Sequence, residues 1–431
     1  MSKHLTPLNI VFCGHVDAGK STITGHLLVL EGQVDDRTLE KTFRDAEATK
    51  MDSWKYAFVM DTSEEERVKG KTVECARAAF STDNRKFMLI DAPGHNGYVP
   101  AMIAGATQAD VAVLVISARG SEFEAGFSRG GQTREHALIC RTAGVRKIVV
   151  AINKMDDPTV NWSQARYDSI VNEVTPFLKG TGYNPAKDVV FLPISGFTGA
   201  GLMERIPTDV CSWYNGPCLT EVLDTIPLPP LDTEAPLRMP IIDRFKDSGA
   251  LQLMGKIETG KISIGDKLFM NPQNAKVEVL GITQEGEELT EALAGENVFV
   301  SVKGVNEEEV HSGDVLTAES SKMTAVDTFV ATLIILEHKN IITEGYKAIM
   351  HCHSIQTSIT IDCLLAELDK KTRKIKTKMP KYATAGQMVA VRIKLDDKCC
   401  VATQELDGKM SRFILRDENK TIGVGVITKL K

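Results

Sequence analysis

Four short runs in this chain join glycine, lysine, hydroxyl and carboxylate residues at spacings that suit phosphate chemistry. Gly14-His15-Val16-Asp17-Ala18-Gly19-Lys20-Ser21 has the pattern G-x-x-x-x-G-K-[ST]. Its glycines let backbone N–H groups wrap an anion, Lys20 brings positive charge to the outer phosphates, and the Ser21 hydroxyl suits Mg2+. Ala18, Gly19, Lys20, Ser21 and Thr22 are therefore expected to bind the phosphates. Asp17 is unusual beside anions; it reads either as a hydrogen-bonded turn residue or as a ligand for a monovalent cation. The second run, Asp91-Ala92-Pro93-Gly94-His95, follows an apolar stretch. Asp91 can hold the Mg2+ shell, Gly94 can offer its N–H to the terminal phosphate, and His95 can orient an attacking water. In the third, Asn153-Lys154-Met155-Asp156, a carboxylate can accept from guanine N1–H and N2–H2, a pair of donors adenine lacks. Asn153 is expected to meet the opposite edge of the base and the Lys154 stem to cover its plane. The fourth, Ser195-Gly196-Phe197, is expected to close over the base with backbone N–H groups.

The elements that must carry these runs alternate between strand and helix. Apolar strands are expected at Asn9 to Cys13, Phe87 to Ile90, Val111 to Ser117, Lys147 to Asn153 and Val189 to Pro193. Helices are expected at Lys20 to Leu30, Thr133 to Thr142 and Ser163 to Leu178. This alternation predicts a mainly parallel sheet covered by helices on both faces, with every run at a strand's C-terminal end, where open α/β sheets bind ligands. Ile226-Pro227-Leu228-Pro229-Pro230-Leu231 breaks the pattern, because proline can continue neither a helix nor a central strand. Beyond it, short alternating segments cut by glycine predict β-barrels. The expected architecture is an α/β P-loop GTPase domain over residues 1–226, followed by two all-β barrel domains over 236–320 and 324–431.

The 431 residues exceed a single core, and 43% hydrophobic with 25% charged residues is an ordinary globular balance. A net charge of −6 argues against a large nucleic-acid-coating surface. The densest basic stretch, Lys370 to Lys378, reads as a solvated hairpin tip, with contact to RNA phosphate as the sharper alternative. No apolar run approaches the ~18 residues of a membrane helix, and the N-terminal residues carry no apolar leader, so the expected setting is cytoplasmic with no membrane. The nine cysteines form no CxxC pair and read as reduced buried thiols.

The phosphate loop, the Asp-x-Pro-Gly-His run and Asn-Lys-Met-Asp together resemble the translational GTPases, as does Gln132-Thr133-Arg134-Glu135-His136. Within that group Gly70-Lys71-Thr72-Val73-Glu74, the run from Asp156 to Trp162, and Arg412-Phe413-Ile414-Leu415-Arg416-Asp417 leading to Thr421-Ile422 are similar to the eukaryotic class II polypeptide chain release factors, over essentially the whole chain. That family carries a long N-terminal extension; this sequence starts almost at the phosphate loop. The resemblance implies GTP/GDP and Mg2+ as cofactors and GTP hydrolysis coupled on the ribosome to stop-codon-dependent peptide release. It implies that Thr72 senses Mg2+ and the terminal phosphate, joining Ser21 and Asp91 as metal ligands and His95 and Lys20 in catalysis. It also implies that the sarcin–ricin loop of ribosomal RNA repositions His95, and that a class I polypeptide release factor docks on the C-terminal barrel near Arg412, Phe413 and Arg416. The chain is expected to be monomeric until that partner binds. Ser411 and Asn96-Gly97 depart from the family's usual residues without removing a nucleotide ligand.

A ribosome-rescue GTPase working with a Pelota-type partner shares text like Ser121-Glu122-Phe123-Glu124, but the switch run and the Asp156 to Trp162 run argue against it. The same switch and the C-terminal barrel argue against a tRNA-delivering elongation factor. Intact Lys20, Thr72, Asp91 and His95 argue against a non-hydrolysing scaffold. Gly130-Gly131-Gln132, though it matches a peptidyl-tRNA hydrolysis motif, is expected to be ordinary turn chemistry ahead of a helix. His351-Cys352-His353 is expected in an alternating strand with both imidazoles on one face, as packing and not as a metal site. Cys399-Cys400 is expected to place its thiols on opposite faces of a strand as buried filler.

Overall fold

The computed structural model describes residues 7–48, 55–60, 75–128, 130–227, 231–247, 249–284, 286–321, 323–336 and 341–431. Two compact units emerge, one reaching Leu228 and the other running from Pro229 to Lys431. No described helix is long and apolar enough to cross a membrane.

The first unit runs β1 (Leu8–Gly14), α1 (Lys20–Leu30), α2 (Asp36–Ala48), α3 (Ala57–Met60), β2 (Ala76–Ser81), β3 (Lys86–Asp91), α4 (Val99–Gln108) and β4 (Val111–Ser117). It continues with α5 (Gly120–Phe127), α6 (Gln132–Thr142), β5 (Lys147–Asn153), α7 (Gln164–Gly180), α8 (Pro185–Asp188), β6 (Val189–Pro193) and α9 (Leu219–Thr225). The strands assemble in the order β2-β3-β1-β4-β5-β6, all parallel except β2, which lies antiparallel on the edge. β1 and β4 are buried along their whole length, as strands covered on both faces must be. The chain leaves β1 toward β3 on one side and β4 on the other, a topological switch point. Register then sets the site. Phe12 pairs with Asp91, Gly14 with Val115, Ser117 with Asn153, and Ile152 with Pro193, so the four sequence runs all leave the same edge of the sheet.

The second unit holds two β-barrels. Among the described residues, the strands Lys267–Asn271, Val315–Thr317, Arg238–Asp247, Ala250–Lys256, Asn297–Lys303 and Ala275–Gln284 close into a ring, with Glu287–Leu289 added outside. A second ring joins Lys347–Cys352, Arg412–Asp417, Lys420–Leu430, Val326–Ile335, Met388–Cys399 and Ile355–Leu368, with Ile375–Lys378 added outside. Closure removes the unpaired edges an open sheet would expose. The Lys370 to Lys378 stretch is the exposed tip and return strand of a hairpin, as the composition suggested.

A buried ionic cluster ties the two barrels. Glu258 of the first barrel accepts from His353 Nε2 at 3.2 Å and from Lys409 Nζ at 2.8 Å, both in the second. Burial opposes the Glu258 charge, but Lys409, His353 and Lys256 together hold its carboxyl well below the usual range. Contrary to the expectation from sequence, His353 does not share a strand face with His351. The strand ends at Cys352, and His353 takes a left-handed φ of 54° in the hairpin turn, which redirects its ring toward Glu258. Cys400 likewise lies just past its strand, which ends at Cys399. Within the second barrel the ring of Phe413 lies against Gly425, where a Cβ would come within 2.2 Å of Phe413 Cζ.

Candidate nucleotide site

The glycine-rich loop links the end of β1 to the first turn of α1. Asp17 sits at its exposed crest with φ 60°, and Gly19 takes φ 95° at the helix cap. Lys20 is buried, and its Nζ donates to His15 O at 2.9 Å, which holds the ammonium under the loop. Ser21 and Thr22 stand half-buried in the first helical turn, where helix N–H groups and dipole favour an anion.

Asp91 ends β3, fully buried, opposite Phe12 in register. Gly94 follows, tight against the loop: a Cβ there would come within 2.5 Å of Lys20 Nζ and 3.0 Å of Val16 N. Only glycine lets this backbone approach the phosphate-binding groups so closely. His95 is exposed and caps a short 3-10 turn, its Nδ1 accepting from Gly97 N at 3.1 Å. Thr72 and the rest of its run lie outside the described residues.

The base side is organised by Asn153. Its Nδ2 donates to Ala18 O at 2.8 Å and its Oδ1 accepts from Gly196 N at 2.8 Å. Each end of this buried amide makes one bond to protein, so Asn153 clasps the phosphate loop to the Ser195 turn, and the second N–H of its Nδ2 is left to meet an edge of the base. Lys154, at φ 62°, sends its Nζ to Glu122 Oε2 at 2.7 Å, which pins the head and leaves the stem laid along the surface. Glu122 also accepts from Ser117 Oγ at 2.6 Å and Arg119 Nη1 at 3.1 Å. Burial pushes against its ionisation, yet these partners keep its carboxyl below the ordinary range.

Asp156 is half-buried, and among the described residues its carboxylate accepts no hydrogen bond, so both oxygens remain for a ligand. Its neighbour Asp157 does the structural work of the turn. It accepts from Thr159 Oγ1 at 2.5 Å, Thr159 N at 2.9 Å and Arg119 Nε at 2.6 Å. The Thr159 bonds, with Arg119 behind them, lower the Asp157 carboxyl to about 2. In the last run Ser195 is fully buried with Oγ accepting from Thr198 N at 3.0 Å, while Phe197 is exposed.

Three supporting groups were not assigned from sequence. Gln132 Oε1 accepts from Val16 N at 3.2 Å, and His136 Nδ1 accepts from Gly14 N at 3.0 Å. Standing four residues apart on one face of α6, they hold the loop from behind. Their spacing in the Gln132 to His136 run was the available signal. The Gln132 contact also accounts for the Gly-Gly-Gln run as loop support. His26 Nδ1 lies 2.8 Å from Gly196 O and so donates to it. On the C-terminal barrel, Phe413 is enclosed in the core and Arg416 is buried, so neither presents a surface contact; Arg412 is half-buried. Phe413 and Leu415 both join the barrel core, and Ile414 between them is buried as well.

Hard oxygen donors (the Ser21 hydroxyl and the Asp91 carboxylate), beside a loop built for anions, fit a Mg2+ ion held jointly with phosphates. The carboxylate of Asp156 matches the paired donors of guanine.

Residues 6–229 match the family described as Elongation factor Tu GTP binding domain. The chain belongs to the elongation factor Tu GTP-binding domain family. This family member also matches Elongation factor Tu domain 2 over residues 252–317 and the GTP-eEF1A C-terminal domain-like family over 328–428. It is 46% identical over 98% of its length to a eukaryotic peptide chain release factor GTP-binding subunit of Kluyveromyces lactis, of which it covers 60%. It is 45% identical over 98% of its length to the protein of that name from Schizosaccharomyces pombe, covering 64%. The chain therefore spans about three fifths of the length of these relatives. In fold it is similar to the Saccharomyces cerevisiae Ski7 GTPase-like domain bound to GTP, with a TM-score of 0.80 at 18% identity over 99% of this chain and 98% of that one.

Proposed function

We propose that this chain is the GTPase of translation termination: it binds GTP and GDP with Mg2+, associates with a class I release factor, and hydrolyses GTP on the ribosome. The observation that carries this reading is the 46% identity to a release factor GTP-binding subunit, together with a guanine-matched Asp156 and a supported phosphate loop. Ser21 and Asp91 would hold Mg2+, with Thr72 as the proposed third ligand. A bound ion there would supply charge neutralisation to the phosphates. Lys20 and the N–H groups of the loop and of Gly94 bind the phosphates, while Asn153, Lys154, Asp156 and the Ser195 to Phe197 turn bind the base.

His95 orients the attacking water. Its exposed ring, tied to Gly97 N, supports a role completed in trans, with the sarcin–ricin loop repositioning it. The C-terminal barrel receives the release factor through its surface, with Arg412 contributing and Phe413 and Arg416 shaping that surface from inside. The isolated, cytoplasmic monomer is a slow GTPase.

GTP turnover measured with ribosomes and a class I release factor, and with each omitted, tests the reading. Hydrolysis is expected to rise by orders of magnitude only with both. A rate indifferent to either addition overturns it.

A further inference from the structure

The turn that closes over the base is gripped from two directions. The N–H of Gly196 is held by Asn153 and its carbonyl by His26, each at 2.8 Å. The His26 ring is itself fixed. Tyr56 stacks on it with centroids 3.8 Å apart and planes 7° apart. Beside the stack, the Lys55 ammonium lies 5.0 Å from the Tyr56 ring, 5.1 Å from Phe43 and 5.3 Å from Phe197. Phe197 is the residue after Gly196 and is exposed. Two neighbours in sequence, Lys55 and Tyr56, thus secure both the hidden and the exposed side of one loop. His26, Phe43, Lys55 and Tyr56 are assigned no contact with phosphate, metal or base.

We propose that Lys55 and Tyr56 form a latch on the Ser195 to Phe197 turn, and that this latch sets the rate at which guanine nucleotide leaves. The inference rests on the proposed nucleotide reading of that turn. For the base to leave, the turn must swing away, which breaks the bonds of Gly196 to Asn153 and His26, and the second is only as rigid as the ring carrying it. Tyr56 immobilises the ring by stacking and, acting through His26, is a positioning residue. Lys55 holds Phe197 through a cation–aromatic contact at the surface. Burial keeps His26 below its ordinary titration range, so at neutral pH the ring is uncharged and donates through Nδ1. Neither bond of Gly196 is made to Lys20, Ser21 or Asp91, so release through this route begins apart from the phosphate contacts.

The test is stopped-flow release of N-methylanthraniloyl-GDP from the full chain with Mg2+ present. Tyr56→Ala and Lys55→Ala should each speed dissociation roughly 2- to 10-fold, the usual worth of one aromatic or cation–aromatic contact. Tyr56→Phe, which keeps the stack, should restore the slow rate. Tyr56→Ala combined with His26→Ala should be no faster than His26→Ala alone, because both act through one bond. Guanine over xanthine preference should stay unchanged in all of them. Unchanged dissociation in folded Tyr56→Ala and Lys55→Ala overturns the latch, as does faster release that Tyr56→Phe fails to restore. If Tyr56→Ala does not fold, Lys55→Ala decides. Failure of the unaltered chain to bind the probe would instead sink the nucleotide reading beneath it.

Discussion

His136 Nδ1 accepts the backbone N–H of Gly14 at 3.0 Å, so a helix from elsewhere in the sequence fixes the first residue of the phosphate loop. Because Nδ1 accepts, the ring proton must sit on Nε2, a tautomer that a lysine or a charged imidazole could not mimic. Gln132 does the same for Val16 one turn earlier. Gln132→Ala and His136→Ala should therefore weaken GDP and GTP binding about equally. Each removes a hydrogen bond to a buried loop N–H, costing about 1–3 kcal/mol, or roughly 5- to 150-fold if the whole penalty falls on the binding-competent loop. Isothermal calorimetry measures it; an effect on one nucleotide alone would show that the helix senses the terminal phosphate instead.

Guanine preference should rest on Asp156, whose carboxylate is unengaged by other described residues. Asp156→Asn turns an acceptor into a donor facing a donor. GTP affinity should fall steeply, roughly 10²-fold or more, with xanthine nucleotide gaining in exchange. Competition between the two nucleotides reads this directly, and a mutant that still prefers guanine would require another reader of the base.

His95 should govern turnover and leave binding alone, since it lies outside the base and metal ligands. His95→Ala is expected to keep near-normal GTP and GDP affinity. It should lose ribosome-stimulated hydrolysis by about 10²–10³-fold or more, the usual cost of a water-orienting or charge-stabilising group. Single-turnover hydrolysis beside equilibrium binding separates the two; affinity and rate falling together would assign His95 to the ground state.

Acid should loosen the barrel unit through His351. Burial, with Arg416 nearby, lowers this imidazole to about 4 from the ordinary 6.5. Between those values the unfolded chain takes up a proton that the folded barrel refuses, so stability is full above about pH 6.5 and is lost as pH falls toward 4. The contribution is of order 3 kcal/mol at most. Denaturant unfolding of the whole chain at pH 7.5 and pH 5 should show this slope, and His351→Gln should flatten it. A slope unaltered by the substitution would assign the pH dependence to other groups.

Much of the site was legible because its chemistry is local in sequence. The helix Lys20–Leu30 and the strands Val111–Ser117, Lys147–Asn153 and Val189–Pro193 have the expected bounds, since apolar runs between turn residues are strong signals. The clasp made by Asn153 and the supports from Gln132, His136 and His26 were not legible. Each depends on which backbone atom the sheet register and helix packing bring opposite the side chain, a relation over a hundred positions long for Gln132 and Val16. Phe413 was misread for a related reason. Period-2 alternation shows that Phe413 and Leu415 share a face, but only the closed barrel shows which face is inside. His353 escaped because a strand pattern cannot reveal where the strand turns.

The ring of Phe413 fills the space that a side chain at position 425 would need. The two sites are in consequence a single heritable unit. A lineage that replaces the glycine first meets a clash with a fully enclosed ring, and one that shrinks the ring first inherits a void. Neither intermediate is comfortable, so the route to any other combination passes through a valley. Across related chains the aromatic and the glycine should be kept together or exchanged together, and chains bearing one without the other should be rare.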